Sequence, residues 1–364
     1  GGFPGSRGVM SVTDGKLELG DFVKVDMMKE PLSPLPITDE EANLFTTGWC
    51  LTGFNTLGYT MGDVTMTPDY PRAAQLASDM QKAIVGDDID GVFAVDPVFL
   101  QYMLGIVGGT QLPDGTVVDG SNAAKVLLHD IYWNYPVEEQ DAIFAAVAGS
   151  AFNKIVDELG SSDITKIAAA VEKGASEGRI LMYSRNDDEE KAAKALGISG
   201  ALQNDASEAP ILGVFVNNYS YSKMDWFLDK RVTIDSSVEN ADGSTTYRVT
   251  TTLKNTMTPQ EKAEMPGYFR GHNGISEDID DEVLRLYLYA PAGGSISDIK
   301  TSGSGSIEKN EATHDGLKVA WGGVHMLLGQ DIKVEYTVTT SKDSRHKELK
   351  VRTTPTAQTF EQDK

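Results

Sequence analysis

The feature that most constrains this chain is a change in the spacing of its apolar residues near Lys223. Upstream, apolar residues recur at helical period between short continuous apolar runs; from Arg231 onward they alternate with polar ones. A helix buries one stripe and a half-covered strand buries one face, so the two textures call for different architectures. The first predicts an α/β sheet covered by helices, and the second an all-β sandwich of Ig-like class. At 364 residues the chain also exceeds what one core ordinarily supports. The boundary falls near Asp225, giving an α/β domain over residues 1–225, a β-sandwich over 226–354 and a polar, frayed tail over 355–364.

Upstream of the boundary, a glycine-rich loop leads into a hairpin turning at Thr13-Asp14-Gly15, because Asp-Gly between two apolar runs favours a tight turn. Thr38 caps a short helix beginning Asp39-Glu40-Glu41. Helical periods follow over 72–85, 98–106, 122–129, 140–159, 164–177 and 187–196. Strands are expected at 92–95, 116–118, 179–183 and 211–216, the last assigned to the α/β sheet. Trp226 and Phe227 read as an anchor between the two domains.

Composition excludes several functions. With 54 acidic residues against 32 basic ones, the net charge of -22 repels nucleic acid and leaves no nucleic-acid partner expected. The single cysteine, Cys50, rules out an intrachain disulfide and a multi-cysteine zinc site. The five histidines lack metal-ligand spacing, and no Gly-x-Ser-x-Gly elbow is present. No apolar run approaches the roughly 18 residues of a membrane span. The opening Gly1-Gly2-Phe3-Pro4-Gly5 reads as the middle of a domain, so a segment upstream is expected, and with it any membrane attachment.

Four groups of residues offer chemistry. The loop around Gly5 and Ser6 can cradle an anion on backbone N–H groups, with Arg7 adding charge; a structural turn is the competing reading. Loop carboxylates Asp63, Asp69, Asp96, Asp130 and Asp141 offer hard oxygens suited to Mg²⁺ and phosphate chemistry, although Asp96 and Asp69 equally suit helix-capping and turn roles. Arginine forks bind diphosphates bidentately, which singles out Arg7, Arg72, Arg179 and Arg185, the last beyond a strand's carboxyl end. An acidic run over 277–282 offers ligands for Ca²⁺ without the spacing of an EF-hand.

Gly-Gly-Phe-Pro-Gly-Ser at 1–6, Ile89-Asp90-Gly91-Val92 through Asp96-Pro97, Leu112-Pro113-Asp114-Gly115 and Lys223-Met224-Asp225 together resemble an uncharacterised family of membrane-anchored envelope proteins of Gram-positive bacteria. The central part in turn is similar to the LytR-CpsA-Psr phosphotransferases in its order of parts. That resemblance implies a protein on the extracellular face of the cell membrane, transferring or binding a polyprenyl-diphosphate-linked glycopolymer with Mg²⁺. Arg7 and Arg72 would hold the diphosphate, with Gly5, Ser6 and Arg185 lining its site, and Asp63 and Asp69 would hold the metal or activate the acceptor hydroxyl. Where those transferases carry arginines, this chain has His129-Asp130-Ile131-Tyr132-Trp133 and Glu138-Glu139-Gln140-Asp141. The alternative is a non-catalytic surface scaffold or adhesion module that binds a protein or a glycan.

Overall fold

A computed structural model describes residues 4–14, 16–20, 22–25, 34–47, 55–112, 115–158, 160, 163–219, 222–270, 280–304, 306–307 and 310–358. Local chemistry sets most helix starts. α1 (Asp39–Phe45) opens on a capping box: Thr38 Oγ1 accepts from the Glu41 N–H at 3.1 Å, and Glu41 Oε2 accepts from the Thr38 N–H at 2.8 Å. α2 (Tyr70–Val85) has proline in its first turn and stops at Gly86, whose φ of 92° ends the helix at no steric cost. Asp96 Oδ1 accepts from the Phe99 N–H at 2.7 Å and caps α3 (Pro97–Val107), the capping role anticipated for it.

The helix expected over 122–129 is three segments: α4 (Ala123–Lys125), a π-helical turn over Val126–Asp130, and α5 (Ile131–Asn134). α6 (Val137–Glu158) and α3 enclose a small core of Leu104, Leu127, Ile131 and Val147. α3 meets the next turn so closely that a Cβ on Gly120 would lie 2.4 Å from the Gly105 Cα. α7 (Ile164–Ser176) and α8 (Asp187–Ala195) complete this region, each capped by the residue before it, Asp163 and Asn186. Met10–Thr13 and Lys16–Leu19 form the anticipated hairpin.

Helices and strands mix here as expected, but the sheet is narrow. β1 (Gly91–Val95) pairs antiparallel with β2 (Ile180–Ser184), and among the described residues these two strands form a sheet of their own. Val92, Ala94, Leu181 and Tyr183 face Tyr70, Ala73 and Ala74 of α2. β3 (Ile211–Asn218), assigned from its apolar run to the same sheet, instead lies between two strands of the β-rich part. A run buried on both faces looks the same in a parallel α/β sheet and in the middle of a covered antiparallel one.

The remaining strands are β4 (Leu228–Glu239), β5 (Thr245–Asn255), β6 (Glu282–Tyr289), β7 (Ser295–Gly303), β8 (Asn310–His314), β9 (Leu317–Met326), β10 (Asp331–Thr339) and β11 (Lys350–Thr353). One sheet orders β9-β6-β3-β11 with Ser306–Ile307 and β8 both on β9; the other orders β4-β5-β10-β7. They share a core of Leu212, Val214, Leu284, Leu286, Val249, Leu253, Val334 and Val338. The outer face of the larger sheet, Phe215, Tyr287, Tyr289 and Val319, packs on α1 and α2 through Leu44, Phe45, Leu76 and Met80.

The part of the expected tail over 355–358 is tied down. Arg179 Nη2 donates to the Thr356 carbonyl at 3.2 Å, Lys230 Nζ to the Thr354 carbonyl, and Gln358 Nε2 to the Trp226 carbonyl at 2.8 Å. Arg352 sends both terminal nitrogens to the Ala201 and Gly200 carbonyls, at 2.7 and 2.5 Å. No helix of the described residues is long and apolar enough to cross a membrane.

Candidate functional site

The residues singled out for diphosphate chemistry are held by separate partners. Arg72, in the first turn of α2, donates from Nε and Nη2 to Glu41 Oε1 and Oε2 at 2.7 and 3.0 Å, and from Nη2 to the Pro36 carbonyl at 2.9 Å. Burial works against ionisation of Glu41, but the Arg72 and Thr38 hydrogen bonds outweigh it and hold the carboxyl below its usual range. Asp63 is buried and accepts from Thr60 Oγ1 at 2.7 Å. Asp69 Oδ1 accepts from the Leu202 N–H at 2.9 Å, and burial pushes its carboxyl up.

Arg185 Nη2 donates to Ser78 Oγ at 2.8 Å and Asp79 Oδ1 at 3.1 Å, about 10 Å along α2 from Arg72 at 1.5 Å per residue. The Gly5 carbonyl accepts from the Val25 N–H at 3.2 Å, and Ser6–Arg7 pairs with Val23–Lys24, whose Lys24 reaches Asp141 on α6 at 2.6 Å. Asp96 and Asp130 are likewise engaged, by Arg179 at 2.6 Å and by Lys125 at 2.9 Å. Among the described residues, no three His, Cys, Asp or Glu side chains are grouped to hold a metal. Asp63 and Asp69, turned to local partners, do not fit the oxygen cage that Mg²⁺ requires.

A second concentration of chemistry lies where the helices meet the end of the two sheets. His129, in the π-helical turn, places Nδ1 2.7 Å from Asp130 Oδ1 and stacks on Trp133 with ring centroids 4.7 Å apart. Trp226, Phe227 and Phe269 enclose the same ring at 5.2, 6.3 and 5.5 Å. Its Nε2 is buried without a hydrogen-bond partner. Nearby, Lys223 sits over the rings of Tyr132 and Tyr268, at 5.0 and 5.9 Å, and burial lowers its pKa. Asp225 accepts from Asn218 Nδ2 at 2.8 Å, with its carboxyl pushed up by burial.

Below this joint, Glu282 is fully buried, and neither carboxyl oxygen has a partner. Burial first, and then the charges of Asp225 and Asp281, raise its pKa well above the ordinary value. The acidic run offered for Ca²⁺ therefore ends in a buried, inward-facing acid; residues 277–279, which hold the rest of that run apart from Asp280 and Asp281, lie outside the described residues. With Phe227 and Phe269 buried, the joint is a packed seam between the two regions.

An open concavity lies elsewhere, at the edge of the two facing sheets. A cleft of about 380 Å³ lies between β7 and β8. Its walls are aliphatic, with Leu286 and Leu288 from β6, Ile296 and Ile299 from β7, and Val334 from β10. Asp298 and Glu311 stand at the rim, and among the described residues no basic one lines it. A bulge in β7 between Ser297 and Lys300, with Asp298 at φ 53°, sets that acid out of the strand's alternation. Trp321 also lines the cleft, but its ring is stacked on Arg285 at 4.5 Å. Sequence reading missed this site because it draws residues from five strands; only the inward parity of 284, 286 and 288 was visible.

An α/β region with a β-rich C-terminal part is therefore the class that the fold defines. Residues 1–132 match the model of a family described as protein of unknown function (DUF4012). No curated protein matches the chain. Among solved structures, a "putative nutrient binding protein" from Legionella pneumophila subsp. pneumophila str. Philadelphia 1 is similar at 11% identity and a TM-score of 0.21. The match covers 36% of this chain and 44% of that one, so less than half of that protein's length is spanned, and no argument rests on it.

Proposed function

We propose that this protein is a non-catalytic, extracytoplasmic module of the cell envelope that holds a partner protein through the cleft between β7 and β8. The observation that carries the reading is the closure of Arg72 on Glu41, a part-buried bidentate pair that spends the fork a diphosphate would need. Asp69 accepts from the Leu202 amide, and Arg185 makes an exposed pair with Asp79. In this reading the helical region is a LytR-CpsA-Psr-like scaffold without the transferase chemistry, and the facing sheets are an Ig-like sandwich that supplies the binding surface.

The cleft favours a protein over a glycan. Sugars are held by aromatic faces, and Trp321, paired opposite Tyr287, belongs to the outer face of its sheet, where Arg285 lies over its ring. Aliphatic walls with two rim carboxylates suit an aliphatic side chain ending in a cation, as on a lysine of a partner. Methyl NMR with hexylammonium as the probe tests this. Shifts at Leu286, Leu288, Ile296 and Ile299 are expected, and they should vanish in the Asp298→Asn, Glu311→Gln double variant. Saturable, Mg²⁺-dependent calorimetric binding of farnesyl diphosphate that Arg72→Ala abolishes would restore the transferase reading.

A further inference from the structure

Away from the cleft, the narrow sheet of the helical region leaves one strand edge bare among the described residues. The Arg185 N–H donates to the Asp90 carbonyl at 2.8 Å and the Asp96 N–H to the Arg179 carbonyl at 3.0 Å. These contacts fix the ladder: Asp90, Val92, Ala94 and Asp96 exchange hydrogen bonds with β2, and the alternate residues Gly91, Phe93 and Val95 do not. The N–H and C=O groups of those three point away from β2. Consistently, Met182, opposite Phe93, donates its N–H outward to the Ile198 carbonyl at 2.7 Å.

The same residues expose apolar side chains. Phe93 is 53% exposed and Val95 51%. The strand reads Gly-Val-Phe-Ala-Val, without the lysine, proline or bulge by which soluble proteins usually guard an edge. One end of it is strongly acidic: residues 79–91 and 184–191 carry eight acids and three bases, a net of -5. At the other end the charges are consumed inside the fold, where Arg179 lies between Asp96 and Glu177 at 2.6 and 2.5 Å.

We propose that β1 is a docking edge on which an extended segment of another protein adds as a third strand, apolar at alternate positions and basic at the end beside Gly91. Backbone pairing supplies the affinity, Phe93 and Val95 the side-chain contact, and the acidic end the polarity. A second copy of this chain is disfavoured as the occupant. Two-fold antiparallel pairing centred on Phe93 would set Asp90 against Asp96 of the other copy, between chains that each carry a net charge of -22. This inference stands apart from the cleft, and either can fail without the other.

The test uses the full chain and two peptides, Val-Thr-Val-Thr-Val-Lys-Lys and Val-Thr-Val-Thr-Val-Glu-Glu. Antiparallel addition puts the C-terminal lysines beside Gly91. Calorimetry should show the lysine peptide binding at least tenfold more tightly, with affinity falling as salt is raised. Phe93→Pro should abolish binding and leave the circular dichroism spectrum unchanged, because the Phe93 N–H makes no ladder bond. Val95→Lys, which charges the exposed face without altering the backbone, should weaken binding at least tenfold. Equal binding of the two peptides, no binding of either, or binding retained in Phe93→Pro would overturn the proposal. So would a dimer of the chain alone, by sedimentation, that Phe93→Pro converts to monomer.

Discussion

Glu282 makes the two-sheet part sensitive to pH in a direction that can be worked out beforehand. Its side chain is fully buried at the first position of β6, and no group hydrogen-bonds to it. Burial and the charges of Asp225 and Asp281 raise its folded pKa, so the folded chain keeps a proton that the unfolded chain releases above about 4.3. Stability from this group is full below that value and is lost as pH rises toward the folded pKa. The loss runs at about 1.4 kcal/mol per pH unit for one proton. Glu282→Gln keeps the shape and removes the proton, so urea unfolding at pH 5, 6 and 7 should show the variant gaining on the parent by about that much per unit. Other titrating groups are common to both chains and drop out of the difference. Parallel profiles would mean that Glu282 is ionised and solvated in the fold, which would refute the reasoning.

Lys230 should behave in the opposite sense: burial, and then the charge of Arg179, push its pKa down to about 7. Between that value and about 10.4 the folded amine is neutral while the unfolded one is charged, so thermal melts should show the parent gaining on Lys230→Met as pH rises from 7.5 to 9.5. Arg72→Ala strands the buried Glu41 carboxylate and should cost about 3 kcal/mol in urea unfolding, the low end for a broken buried pair because Arg72 is partly exposed; a loss below 1 kcal/mol would show the pair to be solvated. Gly120→Ala forces a Cβ against the Gly105 backbone and should cost about 1–3 kcal/mol, read from the shift in denaturation midpoint.

Local chemistry was legible where a few neighbouring residues decide the outcome. Thr38, Asp96 and the hairpin pairing Thr13 with Lys16 act through contacts within four residues, and each stands where the sequence places it. The partner of β3 was not legible, because its apolar run records burial on both faces and nothing about the neighbouring strand. Nor was the π-helical turn at His129, which depends on the aromatic rings brought to it from Trp226 and Phe269. Arg72 and Asp69 have the right chemistry for a phosphate site, yet their partners, Glu41 and the Leu202 amide, lie 31 and 133 residues away. One signal was available and unused: in Glu-Val-Leu-Arg-Leu-Tyr-Leu-Tyr the alternation puts Glu282 on the same face as Leu284, Leu286 and Leu288, which marks it as inward-facing.

The parallel pairing of β11 with β3 has a bearing on how the chain is made. During synthesis β3 emerges well before its neighbour on that side, and the strand that completes it spans residues 350–353, after every other element of both regions. Until then Arg179 and Lys230 lack the carbonyls of Thr356 and Thr354, and the carbonyls of Gly200 and Ala201 wait for Arg352. Arg179 keeps Asp96 and Glu177 throughout, but a buried Lys230 amine without its acceptor opposes closure, which predicts that final docking of the helical region on the sheets waits for residues near 354. The C-terminal strand thereby works as a clasp, and a ribosome-bound chain short of it presents its joint unsealed to the folding machinery of the cell.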